Sequence, residues 1–438
     1  TTTTVQPGNP GDTKNCGDFS NYSEAKAWFD TYFPYYGDVA NLDGDNDDSQ
    51  TTGDAATDTE KDVVAVYSSW YVYAALRADG SVVTWGDDGM GGDSSSVSDE
   101  LDGVDSNGGD TEDVVAIYVG GKAFAALRAD GSVVAWGESA NGGDMTVPND
   151  VTSYLESGVV SIFSTYRAFA ALKEDGSVVV WGDYRYGGNV NRVTTLSEQD
   201  GVLEVINDNP VVNIFPGHRS FAALKADGTV VTWGSANSGG SVTSPVDVSD
   251  ELYNVSKIYS TYSAFAALKD NGVVVTWGNA TNGGDSSGLA DELDYDELNP
   301  VVNIYSNGYA FAALKEDGSL VTWGRSGNFG ADSSCVAEDH ATSGLSYNYL
   351  DGDAEDDGDA SDTSQDVVDV QFNNTSGVAL LADGKLVSWG HSNYGGDCTV
   401  REPGSAVISL SGTYQDFIAL EEDGTVTVWG SSTHAGDT

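Results

Sequence analysis

The stretch Phe221-Ala222-Ala223-Leu224-Lys225-Ala226-Asp227-Gly228-Thr229-Val230-Val231-Thr232-Trp233-Gly234 decides the fold. Two apolar runs flank a short polar turn that ends in Asp-Gly, and Asp-Gly supplies the positive-φ residue a tight hairpin requires. Both runs are too short for helices, and the second is rich in β-branched residues, so each predicts a strand. The Ala-rich run is expected at an inner position where sheets crowd together. The Val/Trp run is expected to pack between sheets.

Outward from this stretch the same unit recurs. Trp-Gly marks eight copies, at Trp85, Trp136, Trp181, Trp233, Trp277, Trp323, Trp389 and Trp429, with spacings of 51, 45, 52, 44, 46, 66 and 40 residues. The strands are fixed and the connections vary, and repeats of this period build propellers, solenoids or arrays. A Gly-Gly bend follows in most copies, as at Gly91-Gly92, Gly142-Gly143, Gly283-Gly284 and Gly395-Gly396. These glycines are read as turn geometry rather than ligand approach. Six of the 18 basic residues (Arg77, Arg128, Lys173, Lys225, Lys269, Lys315) share one place before the turn. They are expected to serve the neighbouring acidic turns.

The pattern Phe221–Gly240 resembles the repeat of the regulator-of-chromosome-condensation superfamily, over residues 61–438. The resemblance implies a mainly β fold, a β-propeller with about four strands per blade and usually seven blades. This chain departs in having eight Trp-Gly units, and in carrying the Gly-His pair before the second strand only once, at Gly217-His218. Seven or eight blades are both open. The eighth copy reaches Thr438 without an outer strand, which leaves an edge for another segment to cover. The superfamily includes a nucleotide-exchange factor on chromatin and secreted inhibitors of β-lactamase, so fold alone assigns no function.

Residues 12–60 follow another pattern. Ser23 can cap a helix through Phe33 that Pro34 ends. Beyond it, Asp43, Asp45 and Asp47 alternate in Leu42-Asp43-Gly44-Asp45-Asn46-Asp47-Asp48, with Asp54 at position twelve. Alternate carboxylates aim hard oxygens at one point, as Ca²⁺ requires. The module resembles the Excalibur family of small extracellular Ca²⁺-binding modules, and Cys16 matches that family's upstream cysteine. Thr51 and Thr52 stand where its loop Cys and Glu belong, so the internal disulfide is lost and the site is weakened. A second acidic loop, within the insert 350–366, offers Asp351, Asp353, Glu355 and Asp362 in the same manner. Ca²⁺ is the expected cofactor.

The 438-residue chain has 18 basic and 69 acidic residues, a formal charge of -51. Such a surface repels polyanions, so nucleic acid and a chromatin role are disfavoured, and cations or a basic protein partner are favoured. No run is long and apolar enough to span a bilayer, so no membrane insertion is expected. The start at Thr1 without Met fits either a mature chain whose signal was removed or a trimmed piece of a longer one. An extracellular or cell-surface location is expected. Sequons at Asn21, Asn254, Asn279, Asn373 and Asn374 are candidate glycosylation sites. The three cysteines, Cys16, Cys335 and Cys398, allow one intramolecular bridge, with Cys16 to Cys335 or Cys398 as the candidates.

The four histidines (His218, His340, His391, His434) are scattered, and no nucleophile, phosphate-loop or dinucleotide motif occurs, so the chain is not read as an enzyme. The arm 1–11, Thr-rich and then Pro/Gly-rich, is read as a strand that could complete its own sheet or a neighbour's. The expectation is a structural or adhesive propeller, a candidate filament or surface-layer subunit that assembles head to tail with its own copies. The rival is a soluble propeller that binds or inhibits a basic protein.

Overall fold

A computed structural model describes residues 63–103, 113–147, 150–189, 209–243, 247–294, 299–327, 329–331 and 366–431, and the backbone of 198–199, 202–203 and 349–350. Each repeat folds as an antiparallel sheet whose first three strands follow chain order. In the fourth repeat the leading strand Val211–Pro216 pairs with the middle strand Ser220–Lys225, which pairs with the Trp strand Val230–Gly234. Gly228, at φ +77°, closes the hairpin at the predicted place. The Asp227 carboxylate accepts the Thr229 amide (2.9 Å) and hydroxyl (2.6 Å), so the turn acid is spent on its own turn.

Eight such sheets occur among the described residues, and the fold is mainly β, of the β-propeller type with eight blades. Among the described residues five sheets have three strands, and the other three gain only two-residue outer strands, such as Val400–Arg401, short of the four-strand blade the resemblance implies. In the first and second repeats the connection forms short 3₁₀ turns, Ser95–Glu100 and Thr152–Tyr154, and these set one leucine into the core where a fourth strand would lie. Leu101 and Leu155 are buried, and their carbonyls accept the amides of Val82 (2.8 Å) and Val133 (3.0 Å).

The Ala-rich strand is crowded as expected, flanked in every sheet by the leading strand and the Trp strand. Both of its faces are buried, because alternate side chains enter different cores. Phe221 and Ala223 pack with Ala168, Ala170 and Val180 of the preceding repeat. Ala222 and Leu224 pack with Ile258, Phe265 and Trp277 of the following one. Alanine at these positions lets neighbouring sheets approach; a larger side chain would overfill the space.

Two compact units divide the chain, Thr1–Ile162 and Phe163–Thr438. In the first, one core joins the first and second repeats. In the second, cores of the same composition join the third repeat to the fourth and so on to the eighth. There the leading strands of repeats four to eight neighbour one another in chain order.

Candidate interaction surfaces

The turn between leading and middle strands is anchored from below. In the third repeat the Thr165 hydroxyl accepts the Ala168 amide (3.1 Å) and donates to the Tyr186 carbonyl (2.8 Å). Thr261 does the same with Ala264 and the Asn282 carbonyl. In the sixth repeat Asn307 accepts the amides of Tyr309 (2.7 Å) and Ala310 (2.8 Å). An anchored turn holds the next residues at its apex, and these are Tyr166, His218, Tyr262 and Gly308.

The apices are joined to one another. The amides of Tyr166, His218 and Tyr262 donate to the carbonyls of His218 (3.2 Å), Tyr262 (3.2 Å) and Gly308 (2.9 Å) respectively. Their rings follow the same path. Tyr166 stacks on His218 at 5.0 Å, His218 meets Tyr262 at 5.7 Å, Tyr262 meets Tyr309 edge-on at 5.2 Å, and Tyr309 meets Phe329 at 4.8 Å. The result is an aromatic belt across four repeats of one unit.

Three guanidinium groups lie on the belt. Arg167 sits over Tyr166 and Tyr186, Arg219 over Tyr186, and Arg325 over Phe329 at 3.9 Å. None of the three makes an ion pair with a described residue. Burial, then the charges of Arg219 and Arg167, hold the His218 imidazole below its ordinary range, so it favours the neutral form. Burial, then the neighbouring Tyr309 and Tyr414, pushes the Tyr262 phenol up. Its hydroxyl donates to Asn374 at 3.2 Å. Burial raises the nearby Asp183 carboxyl, but hydrogen bonds from Arg185, helped by the charges of Arg185 and Arg167, outweigh it and hold the group low.

A second surface lies on the first repeat. Val63 and Val66 are 51% and 50% exposed, whereas their equivalents Val114 and Ile117 are each 4% exposed and pack against the preceding repeat. The first repeat also carries Tyr73, stacked on Trp85 at 5.4 Å, where most others carry Phe. On the eighth repeat the opposite face is open. Val426 is 45% exposed, whereas the equivalent Leu386 is fully buried. Asp416 stands there in the place that Ala264 and Ala310 fill elsewhere, and its carboxylate accepts the Ser431 amide at 2.7 Å.

The sequence-predicted ligands Asp43, Asp45, Asp47, Asp54, Asp351, Asp353, Glu355 and Asp362 lie outside the described residues, as do Asn21, Cys16 and Cys335. Among the described residues no group of three metal-binding side chains occurs. Cys398 is disulfide-bonded. Asn254 is exposed at φ 53° and Asn279 is half-buried. Asn373 is the remaining described sequon beside Asn374. It is buried, its Nδ2 donates to the Tyr394 carbonyl (2.7 Å), and its Oδ1 accepts the amides of Thr375 and Ser376. It is the seventh repeat's turn anchor.

The turn-position bases serve the acidic turns in part. The charges of Lys173 and Lys225 help to hold Asp175 and Asp227 low, after hydrogen bonding and against burial. Lys269 instead donates to the Glu251 carbonyl at 3.1 Å and lies over Tyr253.

No family model and no curated protein matches the chain. Among solved structures, Prp20p of Saccharomyces cerevisiae, described with its binding to Gsp1p and histones, is 18% identical with a TM-score of 0.41, over 72% of this chain and 84% of that one. The ectodomain of the Physcomitrella patens receptor kinase CR4 is 16% identical at a TM-score of 0.35, over 72% of each chain. The computationally designed Ika8 protein is 15% identical at 0.33, over 85% of this chain and 96% of its own. At such values the fold assignment rests on the sheets themselves.

Proposed function

We propose that the chain is a non-catalytic interaction propeller of the cell exterior, structural or adhesive in role, that joins head to tail with copies of itself. The open face of the first repeat carries this reading. It has the composition of a face that every internal repeat buries. The two departures from the repeat are matched in kind: Tyr73 replaces a phenylalanine on one face, and Asp416 replaces an alanine on the other. A hydroxyl and a carboxylate tolerate a junction that is wet before it forms. A head-to-tail contact that does not close makes a filament.

Like-charged copies repel, but salt limits that repulsion to about 8 Å at physiological strength. Ca²⁺ on the acidic loops would reduce it further. The alternative, a soluble propeller with a basic partner, draws its support from the net charge of -51.

Sedimentation of the full chain over a concentration series tests the proposal. Oligomers should grow with concentration, and the double variant Val63→Asp/Val66→Asp should remain monomeric with its other repeats folded. A wild-type chain that stays monomeric throughout, or a variant that assembles equally well, overturns it.

A further inference from the structure

We propose that the belt formed by Tyr166, His218, Tyr262, Tyr309 and Phe329 is a binding site for an acidic, extended peptide segment of a partner protein. The partner is defined by its chemistry: carboxylate side chains spaced along a chain that can lie across the tyrosines.

Arg167, Arg219 and Arg325 are three of only 18 basic residues in a chain with 69 acids, yet none forms an ion pair with a described residue. Four described basic side chains do pair with acids, Lys122 with Glu138, Arg185 with Asp183, Lys385 with Asp383 and Arg401 with Asp397, whereas Arg128, Lys225, Lys257, Lys269 and Lys315, like the three arginines of the belt, do not pair with a described one. A guanidinium held over an aromatic ring has its flat face occupied and its N–H edge left for an acceptor, and a carboxylate matches that edge in two bonds. The Arg167 Nε, like that of Arg128 outside the belt, is buried without a hydrogen-bond partner.

The platform is also pre-organised. Three backbone hydrogen bonds stitch the turn apices together, so little freedom is lost when a ligand docks. Tyr and Arg are the side chains that dominate protein interfaces, because they give large contact area at low entropic cost. Arg219 and Tyr262 stand exposed, so the belt is open to a partner. A neutral His218 between two arginines avoids a third positive charge at rest, and it would become a further cation beside bound carboxylates in acid.

The overall field of the protein opposes an anionic ligand, so binding must come from the local arginines and not from long-range attraction. Fluorescence anisotropy of a labelled oligoglutamate peptide with the full chain tests this. Saturable binding is expected, weakening as salt rises. The triple variant Arg167→Gln/Arg219→Gln/Arg325→Gln should bind about tenfold more weakly at an unchanged melting temperature. The triple Lys variant should fall between, because it keeps charge and loses the planar edge. Tyr262→Ala should weaken binding while all three arginines remain. Absence of binding, or equal binding by the Gln variant, overturns the site. Binding of polygalacturonate but not of the peptide overturns the assignment to a protein partner.

Discussion

The indole Nε1 of Trp233 donates to the carbonyl of Gly187 at 3.1 Å, linking each sheet to the bend of the repeat before it. Trp277 with Gly239, Trp323 with Gly283 and Trp389 with Gly330 repeat the bond within the same unit. Gly187 sits at φ +99°, and a Cβ there would lie 2.7 Å from the Phe221 ring, which itself stacks on Trp233. The glycine both frees the carbonyl and receives the phenylalanine. Gly187→Ala should therefore destabilise by about 2–4 kcal/mol, from overpacking and left-handed strain together. Gly384→Ala shares the strain (φ +87°) but meets nothing within 4 Å, and should cost about 1 kcal/mol. Denaturant midpoints of the two variants check the difference; equal losses would remove the packing role.

The seventh repeat reverses the usual logic. Gly377 occupies the place of the repeat's phenylalanine, and a Cβ there would run into the Trp389 ring. Phe372, from the leading strand, instead meets Trp389 edge-on at 5.8 Å. Restoring the repeat pattern with Gly377→Phe should thus destabilise, by about 1–3 kcal/mol. Adding Phe372→Ala should recover part of that loss, since it vacates space beside the indole. Thermal unfolding of the single and double variants reads this, and a stabilised Gly377→Phe would contradict it.

The strands were legible because they recur eight times with one pattern, and periodicity averages away local ambiguity. The leucines that replace outer strands were not, because Leu101 and Leu155 sit in Ser- and Asp-rich connections whose hydrophobic period is too short to register. The belt escaped for a different reason. It takes one or two residues from each of four repeats, in the turn before the middle strand, where the residue type changes from copy to copy. The available signal was that Tyr166-Arg167, His218-Arg219, Tyr262 and Tyr309 all fall just before a middle strand. The Gly217-His218 pair marked that place without showing what its counterparts would form.

His218 makes stability pH-dependent. Its folded state disfavours the proton relative to the ordinary value near 6.5, because of burial and the charges of Arg219 and Arg167. The unfolded chain therefore binds the proton first, and folded stability is lost as pH falls below about 6.5, levelling off beneath the folded value. His218→Gln should flatten the melting temperature between pH 7 and 5 relative to wild type. An identical pH profile in the variant would show that other groups set the slope.

Calcium is testable on the acidic loops from their sequence. Titration of Ca²⁺ into the full chain should release heat, and Asp45→Ala and Asp353→Ala should each weaken one class of site, since each removes a hard oxygen ligand. A chain with no Ca²⁺-dependent heat at millimolar Ca²⁺ would reduce both loops to solvated acid.

Cys398 gives the last prediction. It is disulfide-bonded, at φ 58° in the loop after Gly395-Gly396, beside Asp397, which Arg401 holds through two bonds of 3.1 and 2.9 Å. With three cysteines in the chain, its partner is Cys335 or Cys16, and one thiol is left over. Thiol titration of the denatured, unreduced chain should find one free thiol, and three after reduction. Peptide mapping then tells Cys335 from Cys16. Cys398→Ser should lose about 2–4 kcal/mol, because the bridge closes a long loop whichever partner it has, and long loops restrict the unfolded chain most. Three free thiols without reductant would remove the bridge and, with it, the case for an oxidising compartment.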